Sequence, residues 1–573
     1  MRNLVLISLI LFFSVLSCKE EESGDKPVIN SFTATLTAIT AGESTTLAWT
    51  VDNAETLSLN QNIGSVSGSS QNVSPLVTTT YTLKAENQWG IDSAQVIVTV
   101  APDPNTHIVT VNFNNVRNPS ARKLLGITFD ARSSMNNGNG ISIGYHDMNT
   151  GTMLPAMQPL WARIPLTGTR YPGNAVTYNW NWKLTVGPQA NRVAQTLSPN
   201  SSEKLSFGFD EFMSMVEARG LTGSDVQIMV NIYDIANEVS PAQNAADWVE
   251  YCNAPNNGSN PGGGTDWAAQ RAANGHANPY NVRIWNIGNE PWGPTEYNFD
   301  ATFYIPKAVA IIDAMKAIDP NLQITIPAVG NPTSGWNSAI LTSASLNGKF
   351  WGLSPHFFYD EDAATNNPNI LQDETLLKAL ETTSLAKGLK LIIGDHAHDA
   401  PFTNQDKGFQ WEGALATADF LTMASQVTNI DRGNYWIYGS WKAQWHPIRR
   451  NNDGSFTFMA AAQVYEEFYP VMFDKSVLTS LSLASGGSVA SVRAAAFQSN
   501  DAQKASVIVV NIDRNNSKKI GKPSLTGYTV SKATVLTGNL TDDSITKSTI
   551  TAQADNTYSL PTISVLILEF IKN

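Results

Sequence analysis

Val282-Arg283-Ile284-Trp285-Asn286-Ile287-Gly288-Asn289-Glu290-Pro291-Trp292-Gly293 is the stretch on which the reading of this chain turns. Val282–Ile287 is a short apolar run, rich in β-branched and aromatic side chains and closed by Gly288-Asn289, and this predicts a buried strand ending in a turn. Moving outward, similar runs recur at Gly126–Phe129, Ala162–Pro165, Val226–Ile232, Leu322–Pro327, Gly352–His356, Leu389–Ile393 and Tyr435–Tyr438. Amphipathic helical stretches lie between several of them, as in Asp210–Arg219 and Ala242–Cys252. Eight strands alternating with helices predict a (β/α)8 TIM barrel over residues 107–472. In that architecture the chemistry sits just beyond the C-terminal end of each strand, so Asn289 and Glu290 fall where a functional residue belongs.

The flanking segments read differently. Residues 27–101 alternate apolar and polar positions at Ser44–Thr50, Thr79–Glu86 and Ala94–Val100, with turn signals at Ala41-Gly42 and Trp89-Gly90. A β-sandwich with Trp49 in its core is predicted; it resembles a bacterial immunoglobulin-like module, an Ig-like spacer. Residues 102–106 are a linker stiffened by two prolines. Residues 473–573 read as all-β, with strands at Ser506–Val510, Ala533–Leu536 and Thr562–Phe570, and a C-terminal β-sandwich is expected there. Val109–Phe113, ahead of the barrel, is expected to lend it a strand. The chain is thus multidomain.

The N-terminus reads as an export signal: Arg2, an apolar run from Leu4 to Leu16, then Ser17-Cys18. Val15-Leu16-Ser17-Cys18 resembles a lipobox, which implies a signal peptide over 1–18, a lipid anchor on Cys18 and an acidic tether over 19–26. The expected location is the outer membrane, facing outward, with that anchor as the membrane contact. Cys252, the second of two cysteines, reads as a small buried hydrophobe. A net charge of −12 lacks the basic face that nucleic acid requires, so no nucleic-acid partner is expected. A neutral polysaccharide or oligosaccharide fits better. The oligomeric state is left open.

A carboxyl at a barrel rim, beside an amide and two indoles, suits a general acid. Desolvation by the aromatic walls is expected to raise the pKa of Glu290. Asn289 is placed to bond a sugar hydroxyl beside the reacting carbon.

Longer motifs name a family. Arg271-Ala272-Ala273-Asn274-Gly275-His276 and Asn278-Pro279-Tyr280-Asn281-Val282 lead into Gly288-Asn289-Glu290. With Trp248-Val249-Glu250-Tyr251-Cys252-Asn253, Arg170-Tyr171-Pro172-Gly173, Gly187-Pro188 and Phe207-Gly208-Phe209-Asp210-Glu211-Phe212, they resemble glycoside hydrolase family 51, the α-L-arabinofuranosidases. The resemblance implies cleavage of terminal α-L-arabinofuranose by a retaining double displacement, with no metal and no cofactor, Glu290 as acid/base and Asn289 as a sugar ligand. It covers the barrel and, more weakly, the C-terminal region.

Departures from the family fall at the rim. Where a Glu nucleophile is expected, Ile393-Gly394-Asp395-His396-Ala397 offers Asp395. Nucleophile, water-activating base and second-shell residue of a dead site are all readings of an Asp one methylene short. Asp130 stands for a sugar-binding Glu, and Asn174 for a glycine. Asn231 ends the third strand, and Ser354-Pro355-His356-Phe357-Phe358-Tyr359 is similar to the family's His-aromatic-Tyr motif, so Asn231, His356 and either Tyr359 or Phe358 are expected to bind substrate, with Trp292 beside them and Trp441 as a sugar platform. Two other functions remain open: an endo-acting β-glycanase on the same barrel, and an inactive surface glycan-binding lipoprotein.

Overall fold

The computed structural model describes residues 24–129, 145–147, 149–172, 180–198, 201–235, 237–293, 299–360, 370–399, 405–438, 446–451, 453–487, 489 and 491–573. Its chain divides into two compact units, Met1–Pro104 with Ala554–Asn556 and Asn105–Gln553 with Thr557–Asn573. Cys18 lies outside the described residues. Among those described, no helix is long and apolar enough to cross a membrane.

In the first unit, Val28–Ala34, Thr45–Asp52 and Ser70–Val73 form one sheet, while Ala38–Thr40, Gly90–Ala101, Thr79–Asn87, Thr56–Leu59 and Gly64–Val66 form another in that order. Alternate residues supply their core: Leu47 and Trp49 from one sheet, Tyr81, Leu83 and Val98 from the other.

The second unit contains eight parallel strands: β1 (Gly126–Phe129), β2 (Thr169–Pro172), β3 (Val226–Val230), β4 (Ile284–Ile287), β5 (Gln323–Ala328), β6 (Gly352–Pro355), β7 (Lys390–Asp399) and β8 (Ile430–Tyr438). Pairing runs from β1 through β6 in sequence, β6 joins β7, β7 joins β8, and β8 returns to β1. The barrel is closed. Its strands are buried on both faces, which is why they read as continuous apolar runs. Helix Phe209–Ala218 starts at Gly208, whose N–H donates to Glu211 at 2.8 Å. Helix Pro241–Asn253 starts at Ser240, whose hydroxyl accepts from the Gln243 N–H at 3.1 Å.

One strand is displaced from its expected place. Ala162–Pro165 is not the second strand; Gln158–Arg163 is a short helix with a proline in its first turn, and Ile164, extended ahead of Pro165, ends it. The strand is Thr169–Pro172, where a fully buried Arg170 interrupts the apolar pattern.

A nine-stranded sheet closes the second unit. Thr106–Asn118 runs antiparallel to Lys475–Leu483, so a strand from before the barrel enters the sheet built after it. Strand Ser564–Lys572 shows how the sheet serves two cores. Val565 and Ile567 pack with the barrel, while Leu566, Leu568 and Phe570 pack in a separate cluster with Val507 and Val509. Helix Trp411–Ala424 is buried at every residue. Trp411 donates from Nε1 to the carbonyl of Ile563 at 2.9 Å, which fixes that helix to the sheet.

Candidate active site

The turn after β4 is fastened from several sides. The Asn286 amide donates to the Gly288 carbonyl at 2.7 Å, Thr325 donates to Asn286 at 2.8 Å, and the Tyr304 hydroxyl donates to the Ile287 carbonyl at 2.7 Å. Gly288 has φ +85°, open only to glycine at little cost. Glu290 itself has φ +34°. A non-glycine residue there carries a strain of about 1–3 kcal/mol, of the kind stored where a side chain must be aimed. Its side chain, 32% exposed, opens on the cleft.

Four strands converge on the second carboxylate. Asp395, on β7, is 2% exposed. Arg170 from β2 pairs with its Oδ2. Thr128 from β1 donates to its Oδ1 at 2.5 Å. His356, following β6, has Nε2 3.5 Å from Oδ2. The same imidazole meets Glu290 through its other nitrogen, with Nδ1 2.6 Å from Oε1. One ring therefore addresses both carboxylates. Arg170 also donates from Nη2 to Asn289 Oδ1 at 3.0 Å, which ties the β4 rim to the same group.

The electrostatics correct one expectation. Burial acts to raise the Glu290 pKa and is the largest influence, but the charge and hydrogen bond of His356 and the charge of Arg170 outweigh it together, and the net shift is downward.

Glu290, Asp395, Asn289 and His356 come together. Two other residues do not. Tyr359 is fully buried, and its hydroxyl lies 2.9 Å from that of Thr417 on helix Trp411–Ala424. Strand Phe357–Asp360 explains this by parity: Phe357 and Tyr359 face the helix layer, stacking toward Phe420, while Phe358 lies on the same side as His356, 6.5 Å away ring to ring. Asn231 is spent on backbone, donating to the Trp180 carbonyl at 3.0 Å and accepting from the Tyr233 N–H at 2.9 Å. Trp292 is half-buried and packs edge-to-face on Trp336. Asp130, Asn174 and Trp441 lie outside the described residues. Thr128 and Gly394 were not foreseen as site residues, and Phe358 was foreseen as the alternative to Tyr359. Among the described residues, no group of three His, Cys, Asp or Glu is placed to hold a metal.

Residues 153–372 match the family model described as the Alpha-L-arabinofuranosidase 1 domain. Over that stretch the barrel is similar to the arabinofuranosidases. The chain is 31% identical to alpha-L-arabinofuranosidase C of Emericella nidulans over 34% of its own length and 35% of that protein. It is 30% identical to an intracellular exo-alpha-(1->5)-L-arabinofuranosidase of Bifidobacterium longum over 39% of its length and 38% of that protein. The chain therefore spans about a third of the length of the curated relatives it matches. In fold, the alpha-L-arabinofuranosidase of Thermotoga maritima, solved as an arabinose complex, covers 81% of this chain and 99% of its own at 20% identity, with a TM-score of 0.64. The arabinofuranosidase-like barrel carries both candidate carboxylates, and Glu290 lies within the matched region.

Proposed function

We propose that this protein is an exo-acting α-L-arabinofuranosidase that removes terminal furanoside residues from plant or algal polysaccharide. The observation that carries the reading is the single imidazole meeting two rim carboxylates of unequal exposure, Glu290 at 32% and Asp395 at 3% of the side chain. Glu290, on the open side, is the acid/base. Its carboxyl proton passes to the departing glycosidic oxygen as the C–O bond breaks, the carboxylate so formed accepts a hydrogen bond from His356 Nδ1, and it then takes a proton from the incoming water. Asp395, gripped by Arg170 and Thr128, faces the anomeric carbon as nucleophile. Asn289 bonds the hydroxyl beside that carbon, and Asp130, Asn174, Trp292 and Trp441 are the further candidates for substrate contact that the sequence names.

The test is release of chromophore from an aryl α-L-arabinofuranoside. Wild-type protein should turn over, and Glu290→Gln should lose essentially all activity toward unactivated arabinosides. Hydrolysis of internal bonds of a soluble β-glycan without free pentose would instead select an endo-glycanase. Sugar binding without turnover, unchanged in Glu290→Gln, would select a glycan-binding protein.

The shorter side chain of Asp395, one methylene less than the Glu the family resemblance leads one to expect, favours one second reading, in which it activates a water and the product inverts. The anomeric configuration of the first-formed product, read by proton NMR, separates the two. We further propose that the first unit is an Ig-like spacer, that residues 473–573 act as a β-sandwich support, and that Cys18 carries a lipid. Cys18→Ala should move the protein from the membrane fraction to the soluble one.

A further inference from the structure

Thr128 lies on β1, fully buried, and its hydroxyl is 2.5 Å from Oδ1 of Asp395, a residue 267 positions away. A separation of about 2.5–2.7 Å is that of a hydroxyl donating to an ionised carboxylate rather than to a neutral group. The other acceptor within reach, the Gly394 carbonyl, is 3.4 Å off. A hydroxyl shut away from water is costly unless bonded, and this one is committed to Asp395.

Its placement follows from the barrel. Thr128 and Arg170 are register partners on neighbouring parallel strands, Thr128 opposite Arg170. Each takes a different oxygen of Asp395, Thr128 Oδ1 and Arg170 Oδ2. An Asp carboxyl rotates through a broad, roughly two-fold torsion. Gripping one oxygen from β1 and the other from β2 stops that rotation. Each oxygen keeps acceptor capacity for the cleft, since a carboxylate has about four lone-pair sites.

We propose that Thr128 is a positioning residue for Asp395, fixing the plane of its carboxylate so that a lone pair faces the reacting carbon or its attacking water. The inference rests on the hydrolase reading above but holds whether Asp395 attacks directly or through water. It concerns the orientation of a carboxylate shorter than the one the family resemblance leads one to expect, in which the broad χ2 torsion alone sets the plane of the carboxylate.

The test compares Thr128→Val, a near-isosteric change that removes the donor, with Thr128→Ser, which keeps it. Each is assayed with the aryl α-L-arabinofuranoside beside wild type and Glu290→Gln, and each is melted thermally. Thr128→Val should lower kcat about 10- to 100-fold, the worth of one hydrogen bond to a charged group. Its KM should stay within about twofold, because ground-state binding does not use the bond. Thr128→Ser should recover kcat to within about threefold of wild type. The proposal is overturned if Thr128→Val matches wild type, if Thr128→Ser is as impaired as Thr128→Val, or if kcat is lost only in step with unfolding. Inactivity of the wild type itself would remove the hydrolase reading and this role with it, whereas an active wild type with an indifferent Thr128 would remove this role alone.

Discussion

At Gly394 a hydrogen in place of a side chain keeps the imidazole of His356 where it is. A Cβ there would fall 2.7 Å from His356 Nε2 and 2.7 Å from Ser354 Oγ. Gly394→Ala must push the ring aside, and a displacement near 1 Å in a catalytic array costs on the order of 100-fold. The expected outcome is a comparable drop in kcat with the melting temperature little changed. A second consequence concerns Glu290. His356→Gln removes both the charge and the hydrogen bond that hold its pKa down, so burial prevails and the pKa rises. Carboxyl carbon NMR of Glu290 should show its titration midpoint move to higher pH than in wild type. At this scale the sequence was informative where a residue followed its strand directly. Glu290 was legible from its strand end, and Asp395 from the family resemblance, although β7 runs on past it to Asp399. The motif left Tyr359 and Phe358 both open, and strand parity, counted from His356, selects Phe358. Thr128 was illegible, because nothing local to β1 announces a partner on β7.

Helix Trp411–Ala424 shows how elements are joined. Its Asp419, 2% exposed, accepts from Arg493 at 2.8 Å, and Arg493 also donates to Glu374 at 2.5 Å on helix Ile370–Ala386. One arginine of the nine-stranded sheet therefore neutralises acids on two barrel helices. Burial pushes the Asp419 pKa up while Arg493 opposes it, so the carboxylate depends on that cation. Arg493→Met leaves a buried charge uncompensated and should cost about 3–5 kcal/mol in chemical denaturation, with Arg493→Met/Asp419→Asn costing less. Elements with one dominant pattern were readable: Phe209–Ala218, Pro241–Asn253 and β4 lie within a residue or two of their expected bounds. β2 was misplaced because its purpose, delivering Arg170 into the barrel, breaks the apolar pattern that marks a strand.

Across the molecule, two buried imidazoles tie stability to pH. His396, packed on Phe420 at 4.8 Å, and His446 are each pushed down to about 3, by burial in both cases, with the Asp395 charge opposing at His396. In the unfolded chain both titrate near 6.5. As pH falls the unfolded chain binds these protons first, so the stability present above about 6.5 is lost progressively toward 3. His446→Gln should flatten the slope of unfolding free energy against pH between about 6 and 4 by up to one proton.

Strand Thr106–Asn118 precedes the barrel yet lies against Lys475–Leu483, which follows it. The two cut points a protein engineer would choose, ahead of residue 107 and behind residue 472, therefore fall on either side of one hydrogen-bonded seam. A fragment trimmed to the barrel would carry an orphaned β-edge, all but the first residue of that strand, and a denuded Trp411 helix, an invitation to aggregate. The smallest piece worth expressing begins before Thr106 and keeps the final strand at Ser564–Lys572.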